Sequence, residues 1–247
     1  MANSIDSIIA FTLDFETGGL NCQDCACTQI AMHAVRIDTF EVLDRYVMYI
    51  APYAKKEFLG GKKTVKKKTD MVESMKYEDR ALEYSAITME MLRSQGVDLK
   101  EVAEGCVAFM TKHKTGGRNK APFLIGQNIV FDIGFLQQLM EYGGQAKEYA
   151  KVLRGSIDFY GNFQPTYVDT ILLAQLAFAN NPDVTSYKLE LIAERLGIEL
   201  IDAHDADADV AATTNVCAVL SKRMRNENGG DGAELSKVEK TRVHFKI

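Results

Sequence analysis

Ile8-Ile9-Ala10-Phe11-Thr12-Leu13-Asp14-Phe15-Glu16-Thr17-Gly18-Gly19 is the stretch from which the fold is read. Ile8 to Phe15 is a short, β-rich apolar run of the kind that forms a buried strand. Asp14 and Glu16 stand two apart at its end, so their side chains project from one face. Paired carboxylates at the exit of a buried strand repel each other and resist desolvation unless a cation lies between them. A divalent ion is the natural candidate. The alternative is that the chain already turns at Thr17-Gly18-Gly19 and both acids are simply hydrated, and the pair alone leaves the choice open.

Working outward, Ile30 to Ile37 and Val42 to Ile50 read as two more strands, joined in a hairpin through Asp38 to Glu41. Three early strands imply an antiparallel start. Ser85 to Leu92 and Leu99 to Met110 read as helices, the second with Val102, Cys106, Phe109 and Met110 at helical spacing. A strand at Pro122 to Ile125 feeds a helix from about Ile129 to Tyr142, and a short strand near Tyr167-Val168 leads into Ile171 to Phe178. Leu189, Ile192, Ala193 and Leu196 mark another helix, closed by Gly197 as a C-cap, and a last helix runs from about Asp205 to Arg225. Strands first and alternating strand-helix units later predict an α/β domain with a mixed sheet, antiparallel in its first three strands and parallel afterwards, flanked by helices.

The 247 residues, 47% apolar and 26% charged, with 4 Pro and 18 Gly, can bury a large core and exclude disordered or collagen-like classes. The sequence predicts neither a membrane span nor a secretion signal. Five cysteines, an odd number, point to a reducing, cytoplasmic setting. The formal charge of −5 speaks against binding nucleic acid by bulk basicity. It is unevenly spread, however: seven lysines (Lys55, Lys56, Lys62, Lys63, Lys66, Lys67, Lys68) against Glu57 put +6 within residues 55 to 68 and leave −11 elsewhere. This run, inside a lysine-rich insertion at about 54–76, reads as a solvated loop able to touch a polyanion. A single domain is expected over residues 1–225, followed by a glycine-containing linker and tail at 226–247.

Two further acidic elements follow. Asn128 ends a strand in Gly126-Gln127-Asn128 and suits a helix N-cap, while Asp132 enters the first helical turn amid Ile129, Phe131, Ile133 and Phe135. An Asp in such apolar company is expected to have a partner, either the helix dipole or a metal. In Ala203-His204-Asp205-Ala206-Asp207-Ala208-Asp209, Asp205 is placed to cap the final helix and Asp207 to be an ordinary first-turn acid. Asp209 borders the apolar face of Val210, Thr213 and Cys217, and His204 lies just ahead of the helix.

In this order, Asp14-x-Glu16, Asn128-x3-Asp132 and His204-x4-Asp209 resemble the three exonuclease motifs of the DEDD superfamily in its DEDDh branch. Val168-Asp169-Thr170-x-Leu172-Leu173-Ala174, Leu189 to Ile198 and Ile87-Thr88-x-Glu90-x-Leu92 resemble the connecting text of that family, and the likeness covers about Ile8 to Leu220. The chain looks most like the proofreading exonuclease subunit of bacterial replicative DNA polymerases. This resemblance implies an RNase H-like fold and a 3′→5′ exonuclease that releases nucleoside 5′-monophosphates from single-stranded DNA or frayed 3′ ends, in proofreading or repair. It further implies two Mg²⁺ (or Mn²⁺) ions about 4 Å apart on Asp14, Glu16, Asp132 and Asp209, with His204 as general base. Thr17, Gly18 and Asn128 are the expected substrate contacts, through a glycine turn whose N–H groups approach the terminal nucleotide. A DNA polymerase docked on the C-terminal tail is the implied partner.

Departures qualify that picture. Thr17-Gly18-Gly19 replaces the usual Thr-Thr-Gly, and Asp205 replaces a basic residue, which makes the field at His204 more negative and raises Asp207 as a rival ligand to Asp209. Cys22, Cys25 and Cys27, with His33 beyond, match a zinc site poorly and read as reduced loop thiols. Relatives with the same motifs trim RNA ends, so an exoribonuclease is the second reading. A catalytically silent nucleic-acid or polymerase-binding module is the third.

Overall fold

The computed structural model describes residues 8–55, 73–114, 116, 120–199 and 205–225. Lys56 to Lys68, His204 and the 226–247 tail lie outside the described residues. Three antiparallel strands come first: β1 (Ile9–Thr17), β2 (Cys27–Arg36) and β3 (Val42–Tyr49). Two parallel strands, β4 (Phe123–Gly126) and β7 (Tyr167–Asp169), complete a five-stranded mixed sheet in the order β3-β2-β1-β4-β7. This is the RNase H-like arrangement expected, with β1 central and therefore apolar on both faces.

The two faces of β1 divide the molecule. Phe11, Leu13 and Phe15 point into the main core, which they share with α3 (Leu99–Lys112), α4 (Ile129–Tyr142) and α5 (Ala146–Val152). On the opposite face small side chains allow α8 (Ala206–Met224) to approach: Ala31 packs with Ala206 and Val210, and Ala10 with Cys217. The Thr214 hydroxyl meets that of Thr12 at 2.9 Å between helix and sheet. Behind α8 a second cluster gathers Ala174, Ile192, Val216 and Leu220, which joins it to α6 (Thr170–Ala177) and α7 (Leu189–Leu196). Asp14 and Glu16 continue the even-numbered face of β1, so they emerge toward α8.

Several boundaries differ from the sequence reading, each for a local reason. Ser85 to Leu92 is not one helix. Residues 85–88 form the turn between α1 (Asp79–Tyr84) and α2 (Met89–Ser94), where Ala86 takes φ 53° and the Thr88 hydroxyl accepts from Met91 N–H, so the helix begins only at Met89. Gly197 does close α7, at φ 71°. The short helix α5 and the hairpin of β5 (Gly155–Ile157) and β6 (Phe163–Pro165) were not anticipated.

Candidate active site

Three carboxylates from the two ends of the chain converge. Asp14 and Glu16 at the end of β1 and Asp209 in the first turn of α8 offer oxygens that lie within 4.8 Å of one another. A β-bulge interrupts the β1–β2 pairing between Glu16 and Thr17, with Thr28 the extra residue on β2. Asp132 arrives from the other side of the sheet on the first turn of α4, 3% exposed, and its Oδ1 accepts the Phe15 N–H at 3.0 Å. It thus grips the backbone between the two β1 acids but stands outside the three-carboxylate cluster. Both helices aim positively polarised N-termini toward this acidic centre.

The electrostatics show what such a cluster requires. Burial first, then the charges of Asp209 and Asp205, push the Asp14 carboxyl from 3.8 up to about 7. Burial, followed by Asp14, pushes Glu16 from 4.5 to about 8. Burial likewise holds Asp132 well above the ordinary range. These acids bind protons avidly because they are buried beside one another, and an all-oxygen donor set of this kind is able to hold a hard divalent cation. The cluster includes Asp209 and not Asp207.

Around the carboxylates opens a cleft of about 910 Å³, whose walls include Thr17, Leu20, Tyr84, Asn128, Phe131 and Tyr187. Leu20 is 85% exposed and Tyr84 65%, so the cleft offers apolar and aromatic surface beside its acids. The sequence reading missed both: Tyr84 ends the unread helix α1, and Leu20 is a lone apolar residue in a loop. Of the expected substrate contacts, Thr17 and Asn128 line the cleft, whereas the Gly18 N–H donates to the Ala26 carbonyl at 2.8 Å. The role imagined for that N–H is therefore already filled by the protein. Gly18 is needed for close approach instead, since a Cβ there would stand 2.5 Å from the Lys76 carbonyl oxygen. Asn128 does precede α4, but in the left-handed conformation (φ 55°, ψ 38°) and without the side-chain capping bond. Its N–H donates to Asp169 Oδ1 at 3.2 Å, and the same oxygen accepts from Ile171 N–H at 2.9 Å. Asp169 thereby ties the α4 turn to the start of α6.

Asp205 caps α8 as expected, accepting from the N–H groups of Asp207 and Ala208. Asp207, however, is no idle surface acid. Its Oδ1 lies 2.5 Å from Nε2 of the fully buried His33 on β2, and its Oδ2 accepts from Arg45 on β3 at 3.2 Å. Burial holds the His33 imidazole below its ordinary pKa, against the pull of Asp207. The contact removes His33 from any zinc site with the cysteines. Cys27 packs toward α4, 3.4 Å from Gln138 Oε1, and burial pushes its thiol up to about 12. None of the five cysteines is joined to another in a disulfide.

Comparison with known proteins agrees with this geometry. The Exonuclease (RNase_T) family model matches residues 11–217. A DNA polymerase III of PolC type from Clostridium perfringens is 24% identical over 223 residues, which is 90% of this chain and 12% of that polymerase. In fold, the chain is similar to Escherichia coli exonuclease I in complex with a dT13 oligonucleotide, with TM-score 0.63, 19% identity, and 89% of this chain against 42% of that one. The exonuclease I of Methylocaldum szegediense gives TM-score 0.62 and 18% identity, over 88% of this chain and 41% of that one. The chain thus spans less than half the length of these relatives. Among the described residues no helix is long and apolar enough to cross a membrane. With a family match over most of its length, an RNase H-like sheet and carboxylates gathered at the exit of the central strand, the chain belongs to the exonuclease family, a group of nucleic-acid hydrolases.

Proposed function

We propose that this nuclease is a divalent-metal-dependent 3′→5′ exonuclease of the DEDDh type, acting on single-stranded DNA ends and releasing nucleoside 5′-monophosphates. The observation that carries this reading is the convergence of Asp14, Glu16 and Asp209 in a cleft with exposed Leu20 and Tyr84 at its walls. DNA is favoured as substrate because exonuclease I, whose fold the chain shares, is known in complex with a DNA oligonucleotide. The likeness to a PolC-type polymerase favours a place beside DNA synthesis, in proofreading. Within this reading, residues 1–225 form one catalytic unit.

Asp14, Glu16, Asp132 and Asp209 would hold the cations, two Mg²⁺ or Mn²⁺. What such cations supply when bound is neutralisation of charge at the scissile phosphodiester and a lower pKa for the attacking water. Asp132 keeps the β1 acids in place through the Phe15 N–H. Leu20 and Tyr84 pack against the terminal nucleoside, and Thr17 and Asn128 border it. His204, placed by sequence five residues before Asp209, takes the proton of the water that attacks phosphorus. The bond to the 3′ oxygen of the penultimate nucleotide breaks, that oxygen leaves with a proton, and the shortened strand carries a 3′-hydroxyl.

Strands labelled at the 3′ or the 5′ end, as DNA and as RNA, test the reading with wild type, Asp14→Ala and His204→Ala, with and without Mn²⁺. Immediate release of label as mononucleotide from 3′-labelled DNA, lost in both variants and in chelator, is the expected result. Internal cuts, faster release from RNA, or full activity in Asp14→Ala would overturn it.

A further inference from the structure

A second cavity, of about 810 Å³, lies at the opposite end of β4 from the carboxylates, under the β5–β6 hairpin. Its walls carry Lys114, Lys151 and Arg154 beside Ile157 and Phe163, and no acidic residue lines it. The Lys114 ammonium donates to the Lys151 carbonyl at 2.7 Å and the Lys151 ammonium pairs with Glu148 at 2.7 Å, but both lysines are exposed and keep further N–H donors for an anion, so in a chain of net charge −5 this is still a local concentration of cations. The hairpin above it is braced. Asp158 accepts from the N–H groups of Tyr160 (2.9 Å) and Asn162 (2.8 Å) and from the Gln164 side chain (3.1 Å), and its own N–H donates to the Asn162 carbonyl. The backbone of β5 and β6 is tied back to the sheet: Arg154 N–H donates to the Pro122 carbonyl at 2.7 Å and Thr166 N–H to the Arg154 carbonyl at 2.8 Å.

Upon this ordered turn stand Phe159, 96% exposed, and Tyr160, 84% exposed, their rings edge to face with centroids 5.5 Å apart. Ile157 beside them is 63% exposed. Aromatic rings of this size dominate burial energetics wherever they are covered, so an ordered turn that presents two of them to water is costly unless something packs there. The neighbouring cations select an occupant that is anionic and offers flat π-faces, and single-stranded nucleic acid is the polymer that offers both. The three residue steps of β4 from Phe123 to Gly126 span roughly 10 Å, so one strand can reach from the cleft to this surface.

We propose that the β5–β6 hairpin and the basic cavity beneath it form a second binding site for the single strand, which holds nucleotides on the 5′ side of the end being cut. Phe159 and Tyr160 stack on bases, and Lys114, Lys151 and Arg154 neutralise phosphates. The inference rests on the reading of the chain as a single-strand exonuclease, and it sets how long a substrate must be to bind well.

The test measures fluorescence anisotropy of labelled (dT)16 and (dT)3 on the full chain in chelator, where nothing is cut, for wild type, F159A/Y160A and K114E/K151E. Far-UV circular dichroism checks that the variants fold. Both variants are expected to weaken (dT)16 binding at least fivefold and to leave (dT)3 within twofold. K114E/K151E should also flatten the log-log salt dependence for (dT)16 by about 1.4, the value for two lost phosphate contacts on a single strand. Unchanged (dT)16 binding in both variants, as a protein-docking hairpin would give, overturns the proposal, as does equal weakening of both lengths. Since no turnover is needed, the outcome stands whether or not cleavage is observed. A chain that binds (dT)16 through the hairpin yet releases no mononucleotide would sink the exonuclease reading alone.

Discussion

Replacing Asp14 by Asn is expected to stabilise the metal-free protein at alkaline pH while it abolishes turnover. The folded protein raises the Asp14 carboxyl from 3.8 to about 7, through burial and the nearby charges of Asp209 and Asp205. A carboxyl with a raised folded-state pKa binds its proton more tightly folded than unfolded. Its contribution is therefore fully favourable below about pH 4 and is lost as pH climbs to about 7; Glu16 extends the same loss to about 8. Three pKa units correspond to about 4 kcal/mol. Asp14 is only half-buried by exposed area, so hydration and counter-ions reduce this to roughly 1–3 kcal/mol at pH 8. For a domain of this size each kcal/mol moves Tm by about 2–4 °C. Thermal melts in chelator should place D14N several degrees above wild type at pH 8 and level with it near pH 4. Mn²⁺ should then raise the wild-type Tm and barely move the variant's. A D14N protein no more stable than wild type at pH 8 in chelator, or a gap that does not narrow toward acid, would refute the reasoning.

Other perturbations probe the supports of the site. Gly18→Ala places a Cβ 2.5 Å from the Lys76 carbonyl oxygen, a backbone atom, so urea denaturation should show a loss of about 1–3 kcal/mol along with a reduced kcat. Asp169→Ala removes the acceptor shared by Asn128 and Ile171 N–H; about 1–2 kcal/mol of stability should go, with a raised KM that Asp169→Asn partly restores. His33→Phe removes the tie from β2 to Asp207, leaves Arg45 as its partner and loosens the first turn of α8, so titration calorimetry should find Mn²⁺ binding several-fold weaker than in wild type. An unaltered Mn²⁺ affinity in that variant would mean that Asp209 needs no support from β2.

The elements that carry the acids were legible because they are long and well marked. β1 is one apolar run, α4 begins at a strand-ending Asn, and α8 has its Asp205 cap, so three separated segments could be laid out in order before their meeting was seen. The elements that escaped are one or two turns of helix or three residues of strand: α1, α5, β5 and β6 are shorter than any periodic signal. His33 shows a different limit. It was weighed with Cys27, six residues earlier, which a regular strand would put on the same face. The bulge opposite Glu16 and Thr17 shifts the alternation at Thr28, so Cys27 faces α4 while His33 faces α8. No pattern within β2 announces this bulge. Leu20 and Tyr84 were equally invisible as cleft walls, since a lone exposed apolar residue has no signature until the surrounding loops are placed.

The distance along the chain between Asp14 and Asp209 has a consequence for the protein's birth. The two acids share one cluster, yet 195 residues of synthesis separate them. At cellular elongation rates of about 5–20 residues per second, the first acid waits roughly 10–40 s for the last. Until α8 has emerged and settled on β1 and β2, the nascent chain has its strands but no complete carboxylate centre. The carboxylate cluster is thus completed only after nearly all of the described sheet and core have been made.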